Sequence, residues 1–449
     1  MSKSLTLAAT SLGFAVVQLD VTIVNTALNA ISSALGGGVV ALQWIVSTYT
    51  IAFASFILTA GALGDRLGGK RIFIAGFAIF TIASLACALA STLAILIAAR
   101  AMQGIGAAIL VPNSLTVLNH AYRDDNERTR AVGIWAAGAS FAITAGPLVG
   151  GALIAAFGWR SIFLINLPVG LAGLWLAMRH VAETPRSTRE LDLPGQVTAI
   201  AGLGVLAAAM IEGGAVGWNN GWVLAGFATF VALLVLFLFV EQRAGQPMLP
   251  LSLFKRRRFT ITSVVGLLIN VAFYGLIFVF SLYFQRENDY SALQTGLAFA
   301  PMMIAVFIAN LSASRIAALI GARITIGAGA ALAALSCAGL LGIERGTPYD
   351  FICVQFIALG AGLGVLVPPL TSMLLESVEK ARSGIASGTL NSARQTGSVI
   401  GVSLFGSLIG GSFEFVEGTH IALTIAVVLL AGACIAMLAG GRRPMRVPS

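Results

Sequence analysis

The sequence predicts an all-α membrane protein: fourteen transmembrane helices, arranged as two six-helix bundles with two extra helices between them. Three observations lead there. Hydrophobic residues make up 58% of the 449 residues and charged residues only 10%, against about 45–50% and about 25% in soluble domains. Basic residues collect on alternate loops between the apolar runs. A segment marked by glycine and proline recurs at a fixed spacing, so the chain is built from two similar halves. The composition excludes a soluble enzyme and a disordered chain, because a surface this poor in charge cannot be wetted. Glycine is also abundant, 51 residues, which suits closely packed membrane helices.

A helical span needs about 20 mostly apolar residues. Such runs are predicted at 5–30, 43–63, 72–91, 93–118, 131–155, 161–179, 195–214, 222–240, 259–284, 293–313, 323–342, 351–375, 383–411 and 420–440. The first begins near Leu5 without a convincing cleavage site, so it is expected to remain as a span. With the N-terminus inside and the spans alternating, 22 of the 27 Lys and Arg residues fall on the cytoplasmic side. Only Arg160, Arg286 and Arg345 fall outside, and Arg100 and Arg394 remain within apolar runs. This asymmetry is the positive-inside pattern, and it places both termini in the cytoplasm. It also explains the net charge of +9 without a nucleic-acid partner. The expected partner surface is the lipid bilayer, and a monomer is the simplest assembly.

The repeat fixes the grouping. Gly104, Gly106 and Pro112 recur as Gly360, Gly362 and Pro368, an offset of 256 residues. That distance is eight spans, an even number, so the two copies keep one orientation. Chance similarity between glycine-rich helices is the alternative. A weaker echo links residues 67–70 with 320–323. The bundles are expected over 1–180 and 259–449, with the two additional spans and their linkers at 181–258.

Few residues could carry chemistry. Asp20 lies inside the first span, where a charged, unpaired carboxylate costs about 3 kcal/mol on insertion scales. It is either a proton carrier or one partner of a packing ion pair. Arg100, early in the fourth span, is its candidate partner: counted from the outer ends, the two differ in depth by only about 5 Å at the helical rise. Gln18, Thr22, Asn25 and Asn29 form one stripe of the first helix, and Asp20 points away from it. That stripe faces a water-filled cavity or serves as interhelical glue. Gly61, Gly64, Asp65, Arg66, Gly68, Lys70 and Arg71 close the second span, as a conformational latch or as an ordinary basic loop. Gly146, Pro147, Gly150 and Gly151 form a small-residue face with a bend-permitting proline in the fifth span. Asn391, Arg394 and Gln395 are polar candidates within the thirteenth. Glu212, near the outer end of the seventh, is expected to snorkel toward water. The four cysteines sit in apolar runs as packing residues, and the three histidines suggest no metal site. No phosphate loop or nucleophile–base pairing is present, so no cofactor is expected beyond protons as coupling ion, and no enzyme activity.

Four ordered motifs carry a resemblance. Residues 19–28 (Leu19-Asp20-Val21-Thr22 onward), the 61–71 loop, Arg100 with Gln103, Gly104 and Gly106, and residues 146–151 together resemble the major facilitator superfamily, within it the fourteen-spanner drug:proton antiporters. Trp159, Arg160, Phe163, Asn166, Pro168 and Gly170 are also typical of that group. The resemblance implies the major facilitator fold, alternating access and export driven by inward proton flow. It implies proton coupling at Asp20 and Arg100 and an interdomain latch at Asp65. The expected substrate is an amphiphilic, cationic or aromatic small molecule. Exporting one endogenous metabolite is the alternative, and a passive channel a more distant one. Two departures stand out. Asn29 occupies a place usually held by proline, and Ala318 stands where a second-half counterpart of Asp65 would be.

Overall fold

The computed structural model describes residues 2–186, 192–379, 383–411 and 414–439. Arg189, Lys380, Arg382, Arg442, Arg443 and Arg446 of the basic tally lie outside the described residues. The elements are α1 Lys3–Leu35, α2 Val39–Leu67, α3 Gly69–Ala88, α4 Leu93–Ala121, α5 Asp125–Phe157, α6 Ser161–Leu164, α7 Asn166–His180, α8 Leu193–Val216 and α9 Gly221–Arg243. They continue as α10 Arg257–Leu282, α11 Ala292–Ile320, α12 Ala322–Gly339, α13 Tyr349–Glu376, α14 Ser383–Gly410 and α15 Phe415–Ala439. No strand occurs among the described residues.

Among the described residues, thirteen helical segments are long and apolar enough to cross a membrane. The fourteenth, α14, has the length, 28 residues, but Asn391, Arg394 and Gln395 make its middle too polar for that set. The sixth span, continuous in the sequence reading, is broken into α6 and α7. Pro168 has no N–H to offer the carbonyl of Leu164, the last residue of α6.

The repeat extends through the whole architecture. The 256-residue offset carries α1 onto α10, α2 onto α11, α3 onto α12, α4 onto α13, α5 onto α14 and α7 onto α15. The packing repeats with it. A Cβ at Gly104 would collide with the carbonyl oxygen of Tyr49 in α2, and one at Gly360 with that of Met302 in α11. Gly106 meets α3 at Phe80, and Gly362 meets α12 at Gly329 and Ala333. Bare backbone lets helices touch in lipid, where no hydrophobic force pulls them together.

The two sets of six meet along two symmetry-related pairs, α2 with α14 and α5 with α11. On one face the Gln43 amide donates to the carbonyls of Ser403 (2.8 Å) and Val402 (3.3 Å), and the Ser47 and Ser403 hydroxyls lie 3.4 Å apart. On the other, Gly151 lies against Ala292 and Gly296 against Pro147. Near the axis, the Ser281 hydroxyl of α10 donates to the carbonyl of Asn25 in α1. These residues are themselves 256 apart, as equivalent positions meeting on a two-fold must be. The contacts reach the end where Val39 packs under Gly410, opposite the 61–71 loop, and close that end. Of the extra helices, α8 packs on α2 and α14, while α9 packs chiefly on α8 and exposes Val231, Val235 and Phe239.

Close backbone approach makes the α4 glycines intolerant. Gly104→Val is expected to lower the melting temperature in detergent, by an overpacking cost of about 1–3 kcal/mol. Gly204→Ala, with nothing within 4 Å of the new methyl, is expected to leave it unchanged.

Candidate functional site

Asp20 is fully buried, at 0% exposure, between α1, α4 and the sixth span. It points away from the Gln18 stripe, as the helical spacing requires. Its Oδ2 accepts from Arg100 Nη1 at 2.5 Å. Its Oδ1 accepts from Gln103 Nε2 at 2.8 Å and Asn166 Nδ2 at 3.0 Å. Arg100 is 1% exposed. Its Nη1 also donates to Gln103 Oε1 at 2.6 Å, and its Nε donates to the carbonyl of Ile45 in α2 at 3.3 Å. The guanidinium carbon lies 4.2 Å from the centre of the Tyr49 ring, whose quadrupole adds to its stabilisation. Ser84 in α3 receives Gln103 Nε2 (3.2 Å) and Asn166 Nδ2 (3.0 Å) and donates to the carbonyl of Phe163. The cluster thus ties α1, α2, α3, α4 and the sixth span together through one carboxylate and one guanidinium.

Of these partners, Arg100 was identifiable by depth alone. Gln103 lies one turn from Arg100, on the same face of α4, and that spacing is the signal that selects it. Asn166 and Ser84 carry a weaker signal, a polar residue inside an apolar run at matching depth. Tyr49 and the Ile45 carbonyl have none.

The second half shows what the fold itself demands at this place. The 256-residue offset carries Asp20 to Leu276, Ser84 to Leu340, Arg100 to Phe356, Gln103 to Leu359 and Asn166 to Ala422. All five are buried at 0–2% exposure, and Phe356 packs edge-on to Phe280 with centroids 4.9 Å apart. An apolar set fills the equivalent position. The ion pair is therefore not needed to build such a bundle. A buried pair is at best near break-even against apolar packing of similar volume.

The other candidates divide. Thr22 is buried against α5, where its hydroxyl reaches the carbonyl of Ile143 at 3.2 Å. It acts there as interhelical glue. Asn25 is buried and donates to its own helix at Val21, while Gln18 and Asn29 keep partial exposure. Gly146 and Gly150 pack on α1, with Thr22 and Thr26 where a Cβ would stand, and Pro147 and Gly151 face α11. The small-residue face therefore joins α1 on one side to the seam on the other. In the loop, Gly68 adopts φ +102° and its N–H bonds back to Gly64, turning α2 into α3. A Cβ at Gly64 would collide with Asn113 of α4. Lys70 donates to the Met178 carbonyl at 3.0 Å, Arg71 lies 3.5 Å from Glu183, and the Gly69 N–H donates to Thr184. Asp65 and Gly61 lie within the last two turns of α2, and Arg66 is exposed. Lys70 is thus anchored to the end of α7, and Arg71 to the segment that follows it. Glu212 is exposed near the end of α8, remote in sequence and in fold from the cluster. Asn391, Arg394 and Gln395 are half-buried in α14. No group of His, Cys, Asp and Glu able to hold a metal occurs among the described residues.

Known proteins match along the whole chain. The Major Facilitator Superfamily profile covers residues 10–197, 195–402 and 262–447. The methylenomycin A resistance protein of Streptomyces coelicolor is 36% identical over 425 residues, 94% of this chain and 90% of its own. The protein of the same name from Bacillus subtilis is 35% identical over 430 residues, 96% of this chain and 91% of its own. A crystal structure of a POT family transporter in complex with 5-aminolevulinic acid has the same fold, with a TM-score of 0.72 at 14% identity over 98% of this chain and 96% of that one. The chain belongs to the major facilitator superfamily and is a multi-pass membrane transporter of small molecules, not an enzyme.

Proposed function

We propose that this protein exports amphiphilic, drug-like molecules across a bacterial cytoplasmic membrane in exchange for protons, by alternating access. Both termini are cytoplasmic, on the charge asymmetry of the loops. Residues 1–180 and 259–449 are the two moving halves, and 181–258 holds the added helices. The end of the seam where Val39 packs under Gly410 is then external.

One observation carries the coupling role. The Asp20–Arg100 cluster is fully buried, and its counterparts in the second half are leucine, phenylalanine and alanine. A fold that works with an apolar set at one of two equivalent places keeps a costly charge at the other for another reason. A proton on Asp20 cancels that charge. Arg100 then loses its strongest partner but keeps Gln103, the Tyr49 ring and the Ile45 carbonyl. Ile45 stands between Gln43 and Ser47, two of the α2 residues bonded to α14 across the seam. Protonation therefore changes the restraint on the helix that joins the halves. Each elementary charge moved is worth about 2.3 kcal/mol per 100 mV, enough for one proton to support a modest uphill gradient of a neutral compound. The relatives support drug-like cargo: both are named for resistance to a single antibiotic, methylenomycin A.

Asp20→Asn is expected to abolish proton-driven accumulation in inside-out vesicles. A gradient that still forms, and still collapses with an uncoupler, rules Asp20 out as the carrier. Stability separates coupling from packing. Asp20→Leu alone leaves Arg100 buried and unpaired, and is expected to destabilise by about 3–5 kcal/mol. Adding Arg100→Met is expected to restore most of the melting temperature and none of the transport. Substantial transport by that double variant makes the pair a packing device. Cells with and without the protein are expected to differ in resistance to a narrow set of compounds. No shift across antibiotics, dyes and biocides points to an endogenous metabolite.

A further inference from the structure

We propose that Arg394 binds an acidic group of the transported molecule, so that the cargo is an amphiphilic organic anion, a carboxylate foremost. This names the substrate class for the path proposed above and rests on that reading.

Arg394 is the twelfth residue of the 28-residue α14, about 17 Å from one end and about 24 Å from the other. Arginine keeps its charge under all such conditions, so it needs a counter-charge. Arg100 has Asp20. Arg394 has none: no Asp or Glu among the described residues pairs with it.

Its face of the helix shows where it opens. Leu390, Arg394, Gly397 and Gly401 follow one side of α14, and that side lies on α10. Gly397 meets the Leu267 carbonyl, Gly401 the Val271 carbonyl, and the Arg394 Cγ stands 3.5 Å from where a Gly266 Cβ would be. The side chain is turned into the protein, not into lipid. The residue is half-buried there and not fully covered by its neighbours. Beside it, Gln395 holds a buried Oε1 and Ser398 a buried Oγ, neither with a hydrogen-bond partner. Ser398 is 1% exposed and one turn further along the same face. A planar guanidinium with a spare hydroxyl donor suits a carboxylate, which accepts two parallel N–H bonds and one more from the side.

The charge balance agrees. The Asp20–Arg100 pair is neutral as a unit, and Arg394 leaves the interior one charge positive. A cation entering it is repelled and an anion is held, against the expectation of a cationic cargo. The fold does not require this arrangement either. The 256-residue offset carries Arg394, Gln395 and Ser398 to Gly138, Ala139 and Ala142 in α5. An electrical consequence follows. Exporting a monoanion against one inward proton moves two charges in the same sense, whereas exporting a monocation moves none.

The full chain in proteoliposomes with an acidic interior provides the test. The probes are carboxyfluorescein, a set of aromatic carboxylates, their methyl esters and ethidium. Wild type is expected to accumulate at least one carboxylate and not its ester. Arg394→Gln is expected to reduce that accumulation at least tenfold, and Arg394→Lys to retain part of it, both at wild-type melting temperature. Competition on the wild-type protein, with the acid inhibiting and the ester not, gives a readout that does not depend on a variant folding. Accumulation of ethidium with exclusion of every carboxylate overturns the anion assignment and leaves proton-driven efflux standing. Carboxylate accumulation unchanged in Arg394→Gln overturns the assignment too. No proton-driven movement of any probe by wild type overturns both.

Discussion

A charge in the bilayer core has nowhere to find water, and this chain answers that constraint at Asp20 by gathering polar groups from several of its first six spans around one carboxylate. Three donors from two elements converge on the carboxylate: Arg100 and Gln103 from α4, and Asn166 from the sixth span. Arg100 in turn reaches α2. Interior electrostatics of this kind is strong while complete and expensive when one member is missing. A single proton is therefore a large event at this place, because it alters a balance that five helical segments share. In water the same proton on the same carboxylate would be a small one.

The seam between the halves has the opposite character. Its contacts are bare backbone and small side chains: Gly151 on Ala292, Pro147 on Gly296, Gly410 on Val39. Few of them are directional. Such a surface holds helices close without fixing their register, which suits elements that must move past one another. The exceptions include the Ser392 hydroxyl on the Ala54 carbonyl, the Thr144 hydroxyl on the Met303 carbonyl, and Gln43 and Ser47, which flank the residue whose carbonyl Arg100 holds. Stiff polar bonding and sliding apolar contact thus meet on α2.

Much of this was legible in the chain before any coordinates. Span number and the 256-residue repeat depend on composition and spacing, which membrane physics constrains tightly, and both persist in every paired helix. Matched depth made Arg100 the candidate partner of Asp20, but that the two helices touch there is seen only in the packing. The rest depended on rotation and neighbours. Thr22 belongs by spacing to a polar stripe, but the packing of Gly146 buries it against α5. Tyr49 looks like any core aromatic until a guanidinium lies on its face. The break before Asn166 was written in Pro168, yet the run around it is apolar enough to read as one helix. The loop at 61–71 had the composition of a latch, and only its contacts show that Lys70 and Arg71 are held by Met178, at the end of α7, and Glu183, just beyond it.

The inequality of the two halves has a consequence for how such a protein diverges. The groups proposed to take up the proton lie within α1, α3, α4 and the sixth span; those proposed to meet the cargo lie on α14. No side chain is common to both sets. Substitutions at Asn391, Arg394, Gln395 or Ser398 can accumulate without altering the chemistry at Asp20. A descendant can acquire a new cargo while inheriting its energy source intact, and a single change in α14 is a short mutational route from one resistance to another.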